Sequence, residues 1–154
     1  MKILMVCLGN ICRSPLAHGL LREKTKNLAH VKVESAGTAG YHIGEPPDTR
    51  MIKTARAKGI NITDLKGQQF SVNDFDAFDH IYAMDQSNYN SILSLARNKN
   101  DEAKVRMILN EINPGENQSV PDPYYGGDEG FEQVYQLLND ATTNISQKIE
   151  NGEL

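Results

Sequence analysis

Apolar and polar positions divide the chain into short buried runs separated by longer amphipathic ones. Ile3 to Cys7 is continuously apolar and stops at a Gly-Asn pair, the pattern of a buried strand. Val31 to Gly37 alternates apolar with polar and breaks at glycine, which predicts a second strand. His80 to Met84 and Lys104 to Leu109 predict a third and a fourth. Helices fall between them. Ser14-Pro15 opens one, with serine as N-cap and proline at the first helical position, and Leu16, Ala17, Leu20 and Leu21 mark its inner face. A proline-rich turn at 45–48 precedes a helix ending near Gly59, and Ser71 with Asp74 resembles the capping box of a short one. A further helix is predicted from about Gln86 to Arg97. Phe131, Val134, Leu138, Ala141, Ile145 and Ile149 form the buried stripe of the last.

Strands alternating with helices predict an α/β fold: one domain over residues 1–154, its parallel sheet of four strands covered by helices on both faces. Ligands in such folds sit at the carboxyl ends of strands. The polar stretch 110–130 is long for a loop in a compact domain, and such loops are usually functional or mobile.

Composition narrows the partners. The 154 residues carry 16 basic and 20 acidic side chains, a net charge of −4, which argues against nucleic acid or an anionic membrane as the main partner. No segment approaches the roughly 18 apolar residues of a membrane span. The apolar start is too short for a signal-peptide core, so a cytoplasmic protein without a signal peptide is expected. Cys7 and Cys12 are the two cysteines. A disulfide across so short a loop stabilises little, and two ligands from one loop are too few for structural zinc. The histidines are scattered; His18 and His80 read as structural or solvated. No metal and no cofactor are expected. In a reducing compartment the cysteine pair reads as reactive.

The segment "CLGNICRS" lies between a strand and a helix. Backbone N–H groups of a tight loop can converge on an anion, the helix start adds unpaired N–H groups and a positive dipole end, and Gly9 permits an unusual backbone angle. Arg13 adds a planar fork matched to two phosphate oxygens. Together these make a dianion site with Cys7 at its base, where the positive field favours the reactive thiolate and Ser14 can donate to the sulfur. A phosphate held there is poised for in-line attack by sulfur. The departing oxygen needs a proton, and Asp122, framed by Pro121 and Pro123, is the candidate general acid. Tyr124 and Tyr125 suit the wall of a pocket for an aromatic group. Each feature also has a plainer reading: Cys7 as a core residue, the Asp-Pro-Tyr-Tyr run as a turn, Cys12 as packing or as a partner that traps oxidised Cys7. The strand–loop–helix register, with the Ser-Pro start in place, is what favours chemistry.

"VCLGNICRSPLA" near the start and "DPYY" near the end resemble the low-molecular-weight protein tyrosine phosphatases. The likeness covers essentially the whole chain, with "SAGT" at 35–38, "PPD" at 46–48 and "DFDAFDHIYAMDQSN" at 74–88 in the family's order. It implies a four-stranded parallel sheet, with Cys7 as nucleophile, Arg13 as phosphate-binding and transition-state residue and Asp122 as general acid. Leu8, Gly9, Asn10, Ile11, Cys12 and Ser14 would complete the phosphate loop. Asn10 would shape that loop through hydrogen bonds, with Ser14 and Ser35 in the same network. Ile11, Tyr41, Tyr124 and Tyr125 would wall the substrate pocket. Tyrosine-phosphorylated proteins would be the substrates, with inorganic phosphate and other oxyanions competing. Two positions depart from the family pattern: members often carry a glutamate where His18 stands and a histidine near Leu65.

Three rivals follow. A thiol-dependent arsenate reductase needs resolving cysteines that the chain lacks beyond Cys12. A phosphoarginine phosphatase resembles "CTGNTCRS", with a polar threonine where this chain has the apolar Ile11. A phosphate-carrying transport subunit needs no general acid, so Asp122 favours a hydrolase.

Overall fold

The structure is a computed structural model that describes residues 1–124 and 126–154. Its elements run β1 (Lys2–Cys7), α1 (Arg13–Lys24), β2 (Lys32–Gly37), α2 (Thr49–Ala57), α3 (Asp74–Ala77), β3 (His80–Ala83), α4 (Gln86–Leu93), α5 (Lys99–Ala103), β4 (Val105–Met107), a 3-10 turn (Ile108–Glu111) and α6 (Asp128–Glu150). The four strands form one sheet in the order β2-β1-β3-β4, and every neighbouring pair is parallel. The expected fold class therefore stands.

The central strand explains its own composition. Ile3, Met5 and Cys7 point into the core shared with α1, α2 and α6. Leu4 and Val6 point the other way, into a smaller core with Phe70, Phe75, Ile81 and Ile92. A strand covered on both faces reads as an unbroken apolar run. On α6 the predicted stripe is buried from Phe131 to Ile149.

Three local expectations are corrected, and one helix that none of them included is present. The fourth strand stops at Met107, where the chain turns into the 3-10 helix; Ile108 and Leu109 are apolar because they enter the α1/α6 core, not because the strand continues. The helix expected to reach Arg97 ends at Leu93, and tight turns follow, Leu95 N donating to Ile92 O and Ala96 N to Leu93 O. Helix α5 has no apolar stripe to announce it; Asn98 caps it by accepting from Asp101 N at 2.9 Å, and the Asp101 carboxylate accepts from Arg97 N. Helix α1 begins at Arg13, with Cys12 as N-cap, so Ser14 sits inside the first turn rather than ahead of it.

Candidate active site

The loop 8–12 leaves the carboxyl end of β1 and enters α1, and Asn10 is the residue that lets it turn. Its φ of 58° lies in the left-handed region, which asparagine tolerates better than most side chains. Asn10 is buried and uses both ends of its amide: Gln68 N donates to Oδ1 at 3.0 Å, and Nδ2 donates to Ser14 Oγ at 2.7 Å. Ser14 Oγ in turn lies 3.0 Å from Cys7 Sγ. A buried serine inside a helix start therefore serves the cysteine rather than the helix end.

The strand β2 supports the loop from the side. Thr38 N donates to Cys7 O and Ala39 N to Leu8 O, both at 2.9 Å. Gly37 is required at this crossing, because a Cβ there would stand 2.7 Å from Leu8 O. The Ser35 hydroxyl is placed differently from the resemblance. It bonds His18 Nδ1 at 2.9 Å, while Ser35 O accepts from Gln68 Nε2 at 3.3 Å. Ser35 thus meets Asn10 through Gln68, one residue removed. Burial holds His18 down at about 4, with the nearby Arg22 guanidinium adding to it, so the imidazole is neutral across the physiological range.

Arg13 is 3% exposed and is held from one side. One guanidinium nitrogen donates to Asp85 Oδ2 at 2.7 Å and to Val120 O at 3.0 Å. The other stands 3.7 Å from Asp122 Oδ2. Asp85 follows β3 and caps α4, its Oδ1 accepting from Asn88 N at 2.7 Å. Val120 N donates to Met84 O at 2.8 Å, which ties the segment bearing Asp122 to the end of β3. Asp122 itself is about two-fifths exposed, and its Oδ1 accepts from Tyr124 N at 3.0 Å.

These groups surround a cavity of about 220 Å³. Cys7, Leu8, Gly9, Ile11, Cys12 and Arg13 line it from the loop and the start of α1, and Tyr41, His42, Asp122 and Tyr124 from elsewhere in the chain. Tyr41 stands at the rim, largely exposed. Tyr125 lies outside the described residues. Cys12 is buried, and burial first, then the carboxylate of Asp48 and the neighbouring Cys7, push its thiol up to about 12. Both cysteines are free thiols. Among the described residues no group of three or more His, Cys, Asp or Glu side chains is arranged to hold a metal ion, and no helix is long and apolar enough to cross a membrane.

Sequence reasoning missed Asp85, Gln68 and His42 as parts of this site. Asp85 had a readable signal: a helix-capping aspartate at the carboxyl end of a central strand sits where this architecture places its ligands. Gln68 and His42 had none, since each reaches the loop from a distant irregular segment.

A thiol, a guanidinium and a carboxyl group that line one small cavity are side chains suited to a phosphatase. Comparison with known proteins agrees. Residues 2–153 match the family described as low molecular weight phosphotyrosine protein phosphatase. The Bacillus subtilis low molecular weight protein-tyrosine-phosphatase YfkJ is 38% identical over 152 residues, 97% of this chain and 96% of that protein. The crystal structure of a protein tyrosine phosphatase from Entamoeba histolytica, with Hepes in its active site, superposes with a TM-score of 0.92 at 38% identity, covering 100% of this chain and 99% of that one. A Drosophila arginine phosphatase superposes with a TM-score of 0.89 at 30% identity, covering 97% and 98%. This chain belongs to the low molecular weight phosphotyrosine protein phosphatase family. The expected enzyme class, a protein-tyrosine-phosphatase, stands with it.

Proposed function

We propose that the protein hydrolyses phosphotyrosine on proteins in two steps through a phosphocysteine. The observation that carries this reading is that the Cys7 thiol, the Arg13 guanidinium and the Asp122 carboxyl line one small cavity. In the first step the Cys7 thiolate attacks phosphorus and the bond to the phenol oxygen breaks. Asp122 gives its proton to that oxygen as it leaves. In the second, the Asp122 carboxylate takes a proton from water as the water attacks phosphorus. The phosphorus–sulfur bond breaks, and thiolate and inorganic phosphate are released.

Arg13 holds the equatorial oxygens in both steps. Its bonds to Asp85 and Val120 O fix the plane of the fork before the ligand arrives. Ser14 supports the thiolate: its oxygen accepts from Asn10, so its own proton is free to point at sulfur. The competing acceptor, Ala36 O, is farther away at 3.4 Å. No metal or organic cofactor takes part in this scheme. Inorganic phosphate and similar oxyanions would compete for the loop.

Cys12 fits a protective role. A thiol held near 12 is not the first to oxidise, so peroxide takes Cys7 to the sulfenic acid. Cys12 sulfur then displaces water from it, leaving a Cys7–Cys12 disulfide that a thiol reduces. Two free cysteines and this chemistry suit a reducing cytoplasm.

The arginine phosphatase among the structural neighbours raises a second substrate, the phosphoguanidinium. Ile11 in the cavity lining favours a phenyl ring over that charged plane. The deciding measurement is kcat/KM on phosphotyrosine, phosphoserine and phosphoarginine peptides, with arsenate reduction as control. Phosphotyrosine is expected to lead; a preference for phosphoarginine, or turnover of arsenate, would replace this reading.

A further inference from the structure

The segment that carries Asp122 and the loop that follows Cys7 lie far apart along the chain, yet one side chain spans the space between them. Asp48 N donates to Ile11 O at 2.8 Å, which fixes Asp48 against the phosphate loop. The Asp48 carboxylate caps α2 by accepting from Arg50 N at 2.8 Å, and it takes the Arg50 guanidinium edge-on, from Nε at 3.1 Å and a terminal nitrogen at 3.0 Å. That planar group lies 5.3 Å from the centre of the Tyr124 ring and 4.8 Å from that of Phe131, within cation–π range of both. Tyr124 N donates to Asp122 Oδ1 at 3.0 Å. Phe131 is buried near the start of α6, so one of the two rings is packed in the core.

We infer that Arg50 is a positioning residue for proton transfer, holding Tyr124, and through it the Asp122 carboxyl, at a set distance from the phosphate loop. The inference rests on the reading of Asp122 as general acid. A guanidinium suits the task because it offers an edge to a carboxylate and a face to aromatic rings at once; an ammonium offers neither plane. Asp48 stays ionised to hold it. Burial raises the carboxyl, but the bonds from the Arg50 side chain and backbone together outweigh that and leave it below the usual carboxylate range. Arg50 does not line the cavity, so it acts on turnover only through the residues it holds, Tyr124 beside Asp122 on one side and Asp48 against Ile11 on the other.

The test compares wild type, Asp122→Asn, Arg50→Met and the double variant on aryl phosphates of graded leaving-group pKa, reading kcat/KM, with urea unfolding of each. Asp122→Asn is expected to lose about 10²- to 10⁴-fold on phenyl phosphate and to recover on dinitrophenyl phosphate. Arg50→Met, which keeps the apolar stem, is expected to lose about 10-fold on phenyl phosphate and less than about 2-fold on the dinitrophenyl ester, as misplacement of a catalytic group predicts. The double variant should lose no more on phenyl phosphate than Asp122→Asn alone, since the acid is already gone. Arg50→Lys should recover only a minor part of the loss. An equal loss across the series, or a loss that multiplies with Asp122→Asn, makes Arg50 merely structural and overturns the inference. A steep Asp122→Asn profile beside a flat one for Arg50→Met overturns the inference alone. A flat profile for Asp122→Asn overturns the general acid, and the positioning role with it.

Discussion

Ser14 Oγ stands 3.0 Å from Cys7 Sγ while accepting a hydrogen bond from Asn10 Nδ2 at 2.7 Å. The pair is buried, so the hydroxyl proton has the sulfur as its nearer acceptor. A hydrogen bond to a charged group contributes about 1.5–3 kcal/mol, or about 10- to 150-fold in the equilibrium it supports. Ser14→Ala is therefore expected to slow alkylation of Cys7 by iodoacetate at pH 6, and turnover of phosphotyrosine, by about that factor. Alkylation at the wild-type rate would remove Ser14 from the thiolate's support.

Asp85 is the counter-charge that Arg13 reaches at 2.7 Å, with the guanidinium almost wholly buried. Removing one partner of such a pair leaves a buried charge without compensation. Asp85→Asn should lower stability to urea by about 2 kcal/mol and reduce kcat/KM for every phosphate ester alike, because the fork is misaligned for the dianion rather than for the leaving group. An effect confined to poor leaving groups would point instead to the Asp122 segment.

Gly37 crosses the phosphate loop at a point where a Cβ would stand 2.7 Å from Leu8 O and 3.1 Å from the carbon of Gly9. The obstructing atoms are backbone and cannot rotate away. Gly37→Ala is expected to cost about 1–3 kcal/mol of stability and to weaken competitive inhibition by phosphate, since the loop itself must shift. Phosphate inhibition unchanged in a destabilised variant would place the strain elsewhere.

His18 links acid pH to stability. Its folded value of about 4 lies below the ordinary 6.5, so the folded form resists the proton that the unfolded chain accepts. Its contribution is complete above pH 6.5 and is lost as pH falls toward 4. Between pH 7 and pH 4.5 wild type should lose about 2 kcal/mol more stability than His18→Asn, read as the difference of two urea titrations. Equal losses in the two proteins would mean the imidazole is not buried neutral.

Cys7 through Ser14 is the part of the site most legible in the chain, because strand end, turn and helix start are contiguous and their residue types have local meanings. Even there one local meaning misled. Serine before proline reads as a helix cap, but the partners of its oxygen lie four and seven residues back, and a helix that starts two residues earlier turns the hydroxyl inward. The end of β4 misled for a related reason: an apolar run reports burial, and Ile108 and Leu109 are buried in a turn.

The sequence by itself determined most of the elements, the parallel α/β class and the contiguous strand–loop–helix segment from Cys7 to Ser14, because backbone propensity, apolar spacing and nearest-neighbour chemistry act over a few residues. The tertiary structure alone decided what surrounds that loop. Asp85 arrives just past the end of the strand beside β1, Gln68 from an irregular segment, and Asp122 on a stretch pinned by Val120 to Met84. Those meetings span dozens of residues, and only the order in which parallel strands cross over can bring them to one end of the sheet.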